Sequence, residues 1–390
     1  MQKVQIDNMI ENMGRLTFNL NNVHVSIANA LRRTIMTNIN TLVFRGFPHE
    51  ENKIEFLKNT TKFNNEYLKQ RISCIPIVNN DSLNFENFVK NYEIVIDEEN
   101  NSNEIKEITT KDIKIRNKTT NQFESIEFTK NIFPPDPISN DYILIAILYP
   151  NFNKENEDNE KLHIVADFDI GNAGENSCWN VVHHCAYEFT RNEPNIQEIA
   201  KKIEDPLKKK DFLLLDAQRH YLKNQFLLSV ESIGVFSNKE LVYKACDYII
   251  SCFTLMNNDI RKNRIQSFEQ SETNPENGKG MLHLKIQNEE DGYFSLYKED
   301  DFFVFTLKKD DYTIGKQIEY YFYEKYENDV SFVGFKKKHP TEKEAYIYIK
   351  MKNPSIEYDV MIDKMVNVID YLITTFTTIQ NKFNNIQLKS

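Results

Sequence analysis

The sequence predicts an α+β chain of two related half-domains, the first interrupted by an inserted β-rich domain. Three observations carry this expectation. A strand feeding a helix occurs twice with matching residues. Phe18-x-Leu20, five residues, Ser26-Ile27-Ala28 and then Leu31 correspond to Phe305-x-Leu307, five residues, Thr313-Ile314-Gly315 and then Ile318, every pair 287 positions apart. From about 79 to 211 the texture shifts to short strand-like runs between Asn- and Glu-rich loops. The last helix carries Ile362, Met365, Ile369, Leu372, Phe376, Ile379 and Phe383, whose alternating steps of three and four make a heptad seam.

In chain order, LTFNL at 16–20 alternates as a strand. SIANALRRTIM follows as a helix, with Ser26 as N-cap and Ile27, Ala30, Leu31 and Ile35 on one face. TLVFR reads as a further strand, and YEIVI, YILIAILY and LHIVADF as strands of the insert. Phe133–Pro137, FPPDP, is expected to be a fixed turn, because proline sets φ and offers no ladder donor. FLLSVESIG at Phe226–Gly234 is a strand, and Asn238 starts a helix to about Asn263 with Ala245, Tyr248, Cys252 and Leu255 as its apolar stripe. SFEQSETNPENGKG, polar with Pro and Gly, is the linker. Beyond it come the strand FFVFTL, the helix TIGKQIEYYFYEKY capped by Thr313, the strand pair VSFVGF and AYIYIKM, and a final helix opened by Pro354. The expected boundaries are therefore 1–78 plus 212–265 for the first half-domain, 79–211 for the insert, 266–280 for the linker and 281–390 for the second half-domain. Halves of this kind pack about a pseudo-twofold axis, since each has an apolar face the other covers.

Composition narrows the function. The net charge is -10 and the pI near 5.5, whereas a surface that binds nucleic acid neutralises phosphates with a basic stripe. Short runs such as Lys208–Lys210, followed by Asp211, make no stripe, so tight direct DNA binding is not expected. The five cysteines show no paired framework, MQKVQIDNMIENMG has no signal-peptide core, and no apolar run approaches the ~20 residues that span a bilayer. These features predict a soluble protein of a reducing compartment with no membrane partner. No nucleophile elbow or glycine-rich phosphate loop is present, so neither catalytic residues nor a cofactor are expected. Cys178, His183, His184 and Cys185 invite a zinc reading, but adjacent His-His-Cys on one helix points its ligands apart, and no second Cys-x-x-Cys pair completes a tetrahedron. No metal site is expected. The aromatic runs EYYFYEKY and DGYFSLY read as core and interface rather than base-stacking platforms.

Several motifs carry a family resemblance. SIANALRRTIM resembles the signature helix of the α subunit of bacterial RNA polymerase, shared by the third-largest subunit of eukaryotic RNA polymerase II and its archaeal counterpart. Asn59-Thr60-Thr61, Glu66 and Arg71-Ile72-Ser73-Cys74-Ile75-Pro76-Ile77 are similar to that family's Asn-Thr-Ser…Asp-Glu…His-Arg-Leu-Gly-Leu-Ile-Pro-Leu, departing from it with Ser73 for Gly and Cys74 for Leu. CWNVV around Trp179 resembles Lys-Trp-Ser-Pro-Val of the family's insert without its Pro, and FLLSVESIG its return to the dimerisation domain. DDYTIGKQI and FVGFKKKHPTE resemble the eleventh subunit of RNA polymerase II. Residues 14–78, 175–260 and 300–385 are covered.

The resemblance implies two α-subunit-type dimerisation half-domains paired within one chain, third-subunit-like and then eleventh-subunit-like. It implies a non-catalytic assembly subunit of a DNA-directed RNA polymerase that docks the second-largest and largest subunits, with small zinc-binding subunits as further partners. The fusion resembles the arrangement in large DNA viruses that transcribe in the cytoplasm, which implies virions and viral factories as its location, with the nucleus as the alternative. Asn29, Leu31, Arg32, Arg33, Arg71 and Pro76 are then expected to meet another subunit. Ile27, Thr313, Ile314, Gly315, Ile318, Ile369, Leu372, Phe376 and Ile379 are expected to hold the halves together. Two other readings stand beside this one. A stand-alone enzyme using Cys185, His183 or His184 predicts a pocket of perturbed ionisable groups, and a scaffold of another assembly would share only the fold.

Overall fold

The computed structural model describes residues 3–78, 84–151, 159–265, 294–308, 312–342 and 344–384. The chain opens with β1 (Gln5–Asn12), β2 (Arg15–Asn21) and α1 (Val25–Thr37). Short elements follow: β3 (Thr41–Val43), β4 (Ile54–Asn59), α2 (Asn65–Ser73), α3 (Phe85–Asn91), β5 (Tyr92–Glu99), β6 (Lys106–Thr109), β7 (Lys114–Asn117), α4 (Ile126–Ile132), β8 (Leu144–Leu148), β9 (Lys161–Asp167) and β10 (Asp169–Gly171). Then come β11 (Val182–Arg191), α5 (Glu193–Lys201), α6 (Pro206–Leu214), β12 (Tyr221–Ser232) and the long α7 (Asn238–Ile265). The last stretch holds β13 (Phe294–Glu299), β14 (Phe302–Leu307), α8 (Tyr312–Tyr326), β15 (Val330–Lys336), β16 (Ala345–Met351) and α9 (Tyr358–Phe383). The fold class is α+β. Among the described residues no helix is long and apolar enough to cross a membrane.

Two compact units emerge. The first takes Met1–Ile35, His184–Glu231 and Asn238–Ser390, and contains both copies of the repeat. One of its sheets runs β1-β2-β12-β11, the other β13-β14-β16-β15. The β1–β2 hairpin turns in two residues, with Asn12 paired to Arg15 and positive φ at both Met13 and Gly14. That geometry follows the natural twist of the strands and favours a glycine. The repeat persists in three dimensions. Phe18 and Phe305, Leu20 and Leu307, Ile27 and Ile314, and Leu31 and Ile318 are all buried, and α1 and α8 begin 287 positions apart.

The two copies close on each other through α7 and α9. All seven seam residues of α9 are buried. The Phe376 ring centroid lies 6.4 Å from that of Phe253 on α7, and Phe383 meets Phe18 of β2 edge-on at 5.0 Å. Each large apolar side chain buried here contributes about 1.5–3 kcal/mol. A hydrogen bond such as Asn257 Nδ2 to Asp370 Oδ1, 2.6 Å, adds about 1–3 kcal/mol with a charged acceptor. Apolar burial therefore dominates the seam, with the polar pair as a smaller addition.

The second unit takes Met36–His183 and Ser232–Ser237. Its main sheet runs β4-β9-β5-β7, and Leu68, Ile72, Ile94, Ile96, Ile164 and Phe168 share one core. This division differs from the expected boundaries at both ends of the insert. Residues 36–78 go with the second unit, because β4 pairs with β9 and α2 buries Leu68 and Ile72 in the same core. Residues 184–211 go with the first, where β11 joins the sheet beside β12. The linker expected at 266–280 lies outside the described residues.

Local expectations also need correcting. Ser26 lies inside the first turn of α1 rather than at its cap: His24 Nδ1 accepts the Ser26 N–H at 3.2 Å and takes the capping role. Thr313 likewise falls within the first turn of α8. On α7 the buried stripe runs through Ala245, Ile249, Cys252, Phe253 and Met256, while Leu255 is 48% exposed. α9 starts at Tyr358, four residues past Pro354.

Candidate subunit-assembly site

α1 and α8, linked through His24 and through Arg33, form the site. The His24 imidazole stacks on the Tyr320 ring at 3.4 Å between centroids, and the His24 N–H donates to Tyr321 Oη at 3.2 Å. Burial lowers the His24 pKa to about 4 against a smaller opposing pull from Glu319, so the ring is neutral at pH 7 and keeps Nδ1 as an acceptor. Arg33 Nε donates to Thr313 Oγ1 at 2.9 Å. Beside these contacts a cleft of about 460 Å³ is lined by His24, Asn29, Tyr187, Tyr320, Tyr323 and Val333.

The residues expected to meet another subunit are not equivalent in the structure. Asn29 and Arg32, both half-buried, share one face of α1: Asn29 Oδ1 accepts from Arg32 Nε at 3.1 Å and Nη2 at 3.0 Å. Leu31 has no exposed surface, so the contact expected of it is corrected: it packs inside the chain's own core. Arg33, half-buried, reaches across to the other copy of the repeat through Thr313. Arg71 donates from Nε to the Ile145 carbonyl of β8 at 2.9 Å and from Nη2 to that of Leu144, which ties α2 to β8 within the second unit. Pro76 is half-buried nearby in sequence.

Among the residues expected to pair the halves, Ile27, Ile314, Ile318, Ile369, Leu372, Phe376 and Ile379 are all buried. Gly315 has a more local reason to be glycine. The Phe335 ring of β15 lies where its Cβ would be, so Gly315 lets α8 approach its own sheet. Sequence reasoning missed His24, Tyr320 and the Asn257–Asp370 pair. Only Asn257, a polar residue on an apolar helix face, carried a signal.

His183, His184 and Cys185 lie on β11, a strand rather than the expected helix, and Cys178 lies outside it. Alternation there puts His184 on the opposite face from His183 and Cys185, and His184 Nε2 bonds Ser229 Oγ at 2.8 Å. Burial pushes the Cys185 thiol up to about 12, the reverse of an activated nucleophile. Among the described residues no three His, Cys, Asp or Glu side chains gather as metal ligands.

Comparison with protein families returns two matches, each described as an RNA polymerase Rpb3/Rpb11 dimerisation domain. One spans residues 17–253 and the other 303–387. The chain belongs to the RNA polymerase Rpb3/Rpb11 dimerisation family. No curated protein matches it. Two such domains in one polypeptide make it a fusion of α-like polymerase subunits, and domains of this type are non-catalytic members of the polymerase complex. They also explain the architecture. The first domain model runs through β2, α1 and most of α7, the second through β14, α8 and α9, so α7 and α9 belong to different domains and meet within one chain.

Proposed function

We propose that this fused subunit is the platform on which the two large subunits of a DNA-directed RNA polymerase assemble, the second-largest docking first on the Asn29–Arg32 face of α1. The observation that carries the reading is the division of labour along α1. Ile27 and Leu31 are spent on the core and Arg33 on the other half, while Asn29 holds the Arg32 guanidinium on the remaining face. A guanidinium fixed in this way presents its donors in a set plane, which suits carboxylates or backbone carbonyls of a partner. Small zinc-binding polymerase subunits are further partners in this reading. The fusion itself supports a polymerase of a large cytoplasmic DNA virus, located in virions and viral factories rather than the nucleus.

Affinity purification of the chain from its native source tests the proposal. Two very large polymerase subunits in equal amounts are expected. Recovery of the chain without them overturns the docking reading.

A further inference from the structure

Two thiols far apart in sequence come together in the second unit. Cys74 closes α2 as its C-cap, its N–H donating to the carbonyls of Gln70 and Arg71 at 3.2 Å each, and its side chain is exposed. Cys178 sits in a single 3-10 turn, Ser177–Trp179, held by the Asn176 side chain accepting its N–H at 3.1 Å and by the buried Trp179 ring against Gly171. The Cys178 Sγ–H donates to the Ser73 carbonyl at 3.7 Å, and the Cys74 thiol interacts with it directly. Both anchors are firm: Leu68 and Ile72 fix α2 in the core, and Trp179 fixes the turn.

The other cysteines are placed differently. Cys246 and Cys252 are buried in α7, and burial raises the Cys185 thiol. Cys74 is the exposed thiol that a solution reagent meets first. Burial, with Cys74 as a second cause, pushes Cys178 up to about 11, so at neutral pH it is mostly the thiol and Cys74 is the group that reacts first.

We propose that Cys74 and Cys178 are an oxidation site that closes into an intramolecular disulfide by exchange with a small-molecule disulfide. The Cys74 thiolate attacks one sulfur of the reagent, forming a mixed disulfide and expelling one small thiolate. Cys178 then loses its proton to solvent and attacks the Cys74 sulfur, expelling the second small thiolate. Two protein thiols become one disulfide, and one small disulfide becomes two thiols. The product ties the end of α2 to the Trp179 turn. This inference stands apart from subunit docking.

The test uses the full chain, folded and without denaturant, incubated with oxidised glutathione, alkylated, and digested without reduction. Mass spectrometry is expected to find a Cys74–Cys178 peptide and an intact mass lower by two hydrogens, both reversed by dithiothreitol. The Cys178→Ser variant is expected to stop with one glutathione on Cys74. A wild-type chain that also stops at glutathionylated Cys74, that links Cys74 to another cysteine, or that stays fully reduced overturns the proposal.

Discussion

α1 and α8 stand at equivalent places in the repeat, yet only their inward faces agree. Ile27, Ala28 and Leu31 correspond to Ile314, Gly315 and Ile318, all buried. On the outward face, at the same 287-residue offset, Asn29 and Arg32 correspond to Lys316 and Glu319. Each helix bridges its own pair three residues apart: Arg32 Nε to Asn29 Oδ1 at 3.1 Å, Lys316 Nζ to Glu319 Oε2 at 2.6 Å. One pair joins a neutral amide to a guanidinium, the other an ammonium to a carboxylate. Agreement inside keeps the halves complementary, whereas divergence outside makes their faces distinguishable. A pseudo-symmetric platform with distinguishable faces can discriminate between two different partners, which supports the docking proposed for α1.

The largest expected effect attacks the shared interior. Phe376→Asp removes a fully buried ring from the α7–α9 seam, at about 3–5 kcal/mol for lost packing, and leaves a carboxylate there without a designed partner. Residues 1–265 and 294–390 co-expressed as separate chains are expected to co-purify, and the same pair carrying Phe376→Asp to come apart. Wild-type halves that separate, or variant halves that stay together, would mean the seam does not hold the domains.

The next effect probes the outward face. Arg32→Ala is expected to weaken capture of the second-largest subunit by about 2–5 kcal/mol, the usual range for truncating a hydrogen-bonded interface charge. Glu319→Ala at the equivalent position should change it far less, with circular dichroism unchanged in both. Equal losses in a binding titration would erase the distinction between the helices. A smaller effect separates the two inward faces. Gly315→Ala forces a methyl group against the Phe335 ring, and overpacking of that kind costs about 1–3 kcal/mol. Ala28→Gly should cost about 0.5–1 kcal/mol through backbone entropy. Denaturant midpoints measure both.

Much of this architecture was legible because burial and repetition leave periodic marks. The 287-residue offset and the alternating three–four steps on α9 pointed to the buried residues of both halves. Contacts depending on tertiary approach left no such mark. Nothing in the sequence near His24 shows that Tyr320 will stack on it, since the two are brought together only when the halves close. Arg33 looked like its neighbour Arg32 in the sequence, but a helix turns by about 100° per residue, so Arg32 bonds Asn29 on its own helix and Arg33 bonds Thr313 on α8. The expected boundary near 78 parted α2 from the insert because the β8 carbonyls that Arg71 bonds lie far along the chain.

The finest contrast between the helices is in how they begin, and pH reads it. α1 is capped by a titratable group. His24 Nδ1 accepts the Ser26 N–H, and a proton on that nitrogen ends the bond. The unfolded chain takes up this proton as the pH falls through 6.5, while burial delays it in the folded chain to about 4. Stability from His24 is therefore complete above pH 6.5 and is lost as the pH falls from there towards 4. Lys316, Glu319, Tyr320 and Tyr321 surround the ring, and of these Glu319 favours the proton. Its carboxylate is engaged by Lys316 Nζ and by the Phe335 N–H at 3.0 Å, which limits that pull. His24→Asn keeps a capping acceptor but cannot titrate. Urea midpoints at about pH 7 and about pH 5 should therefore fall further for the wild type than for His24→Asn, by under about 2 kcal/mol because the ring is only half-buried. Carboxylates elsewhere titrate in both proteins and cancel in the difference. Equal falls would mean that His24 is protonated in the folded chain before pH 5 and that the cap of α1 rests on another group.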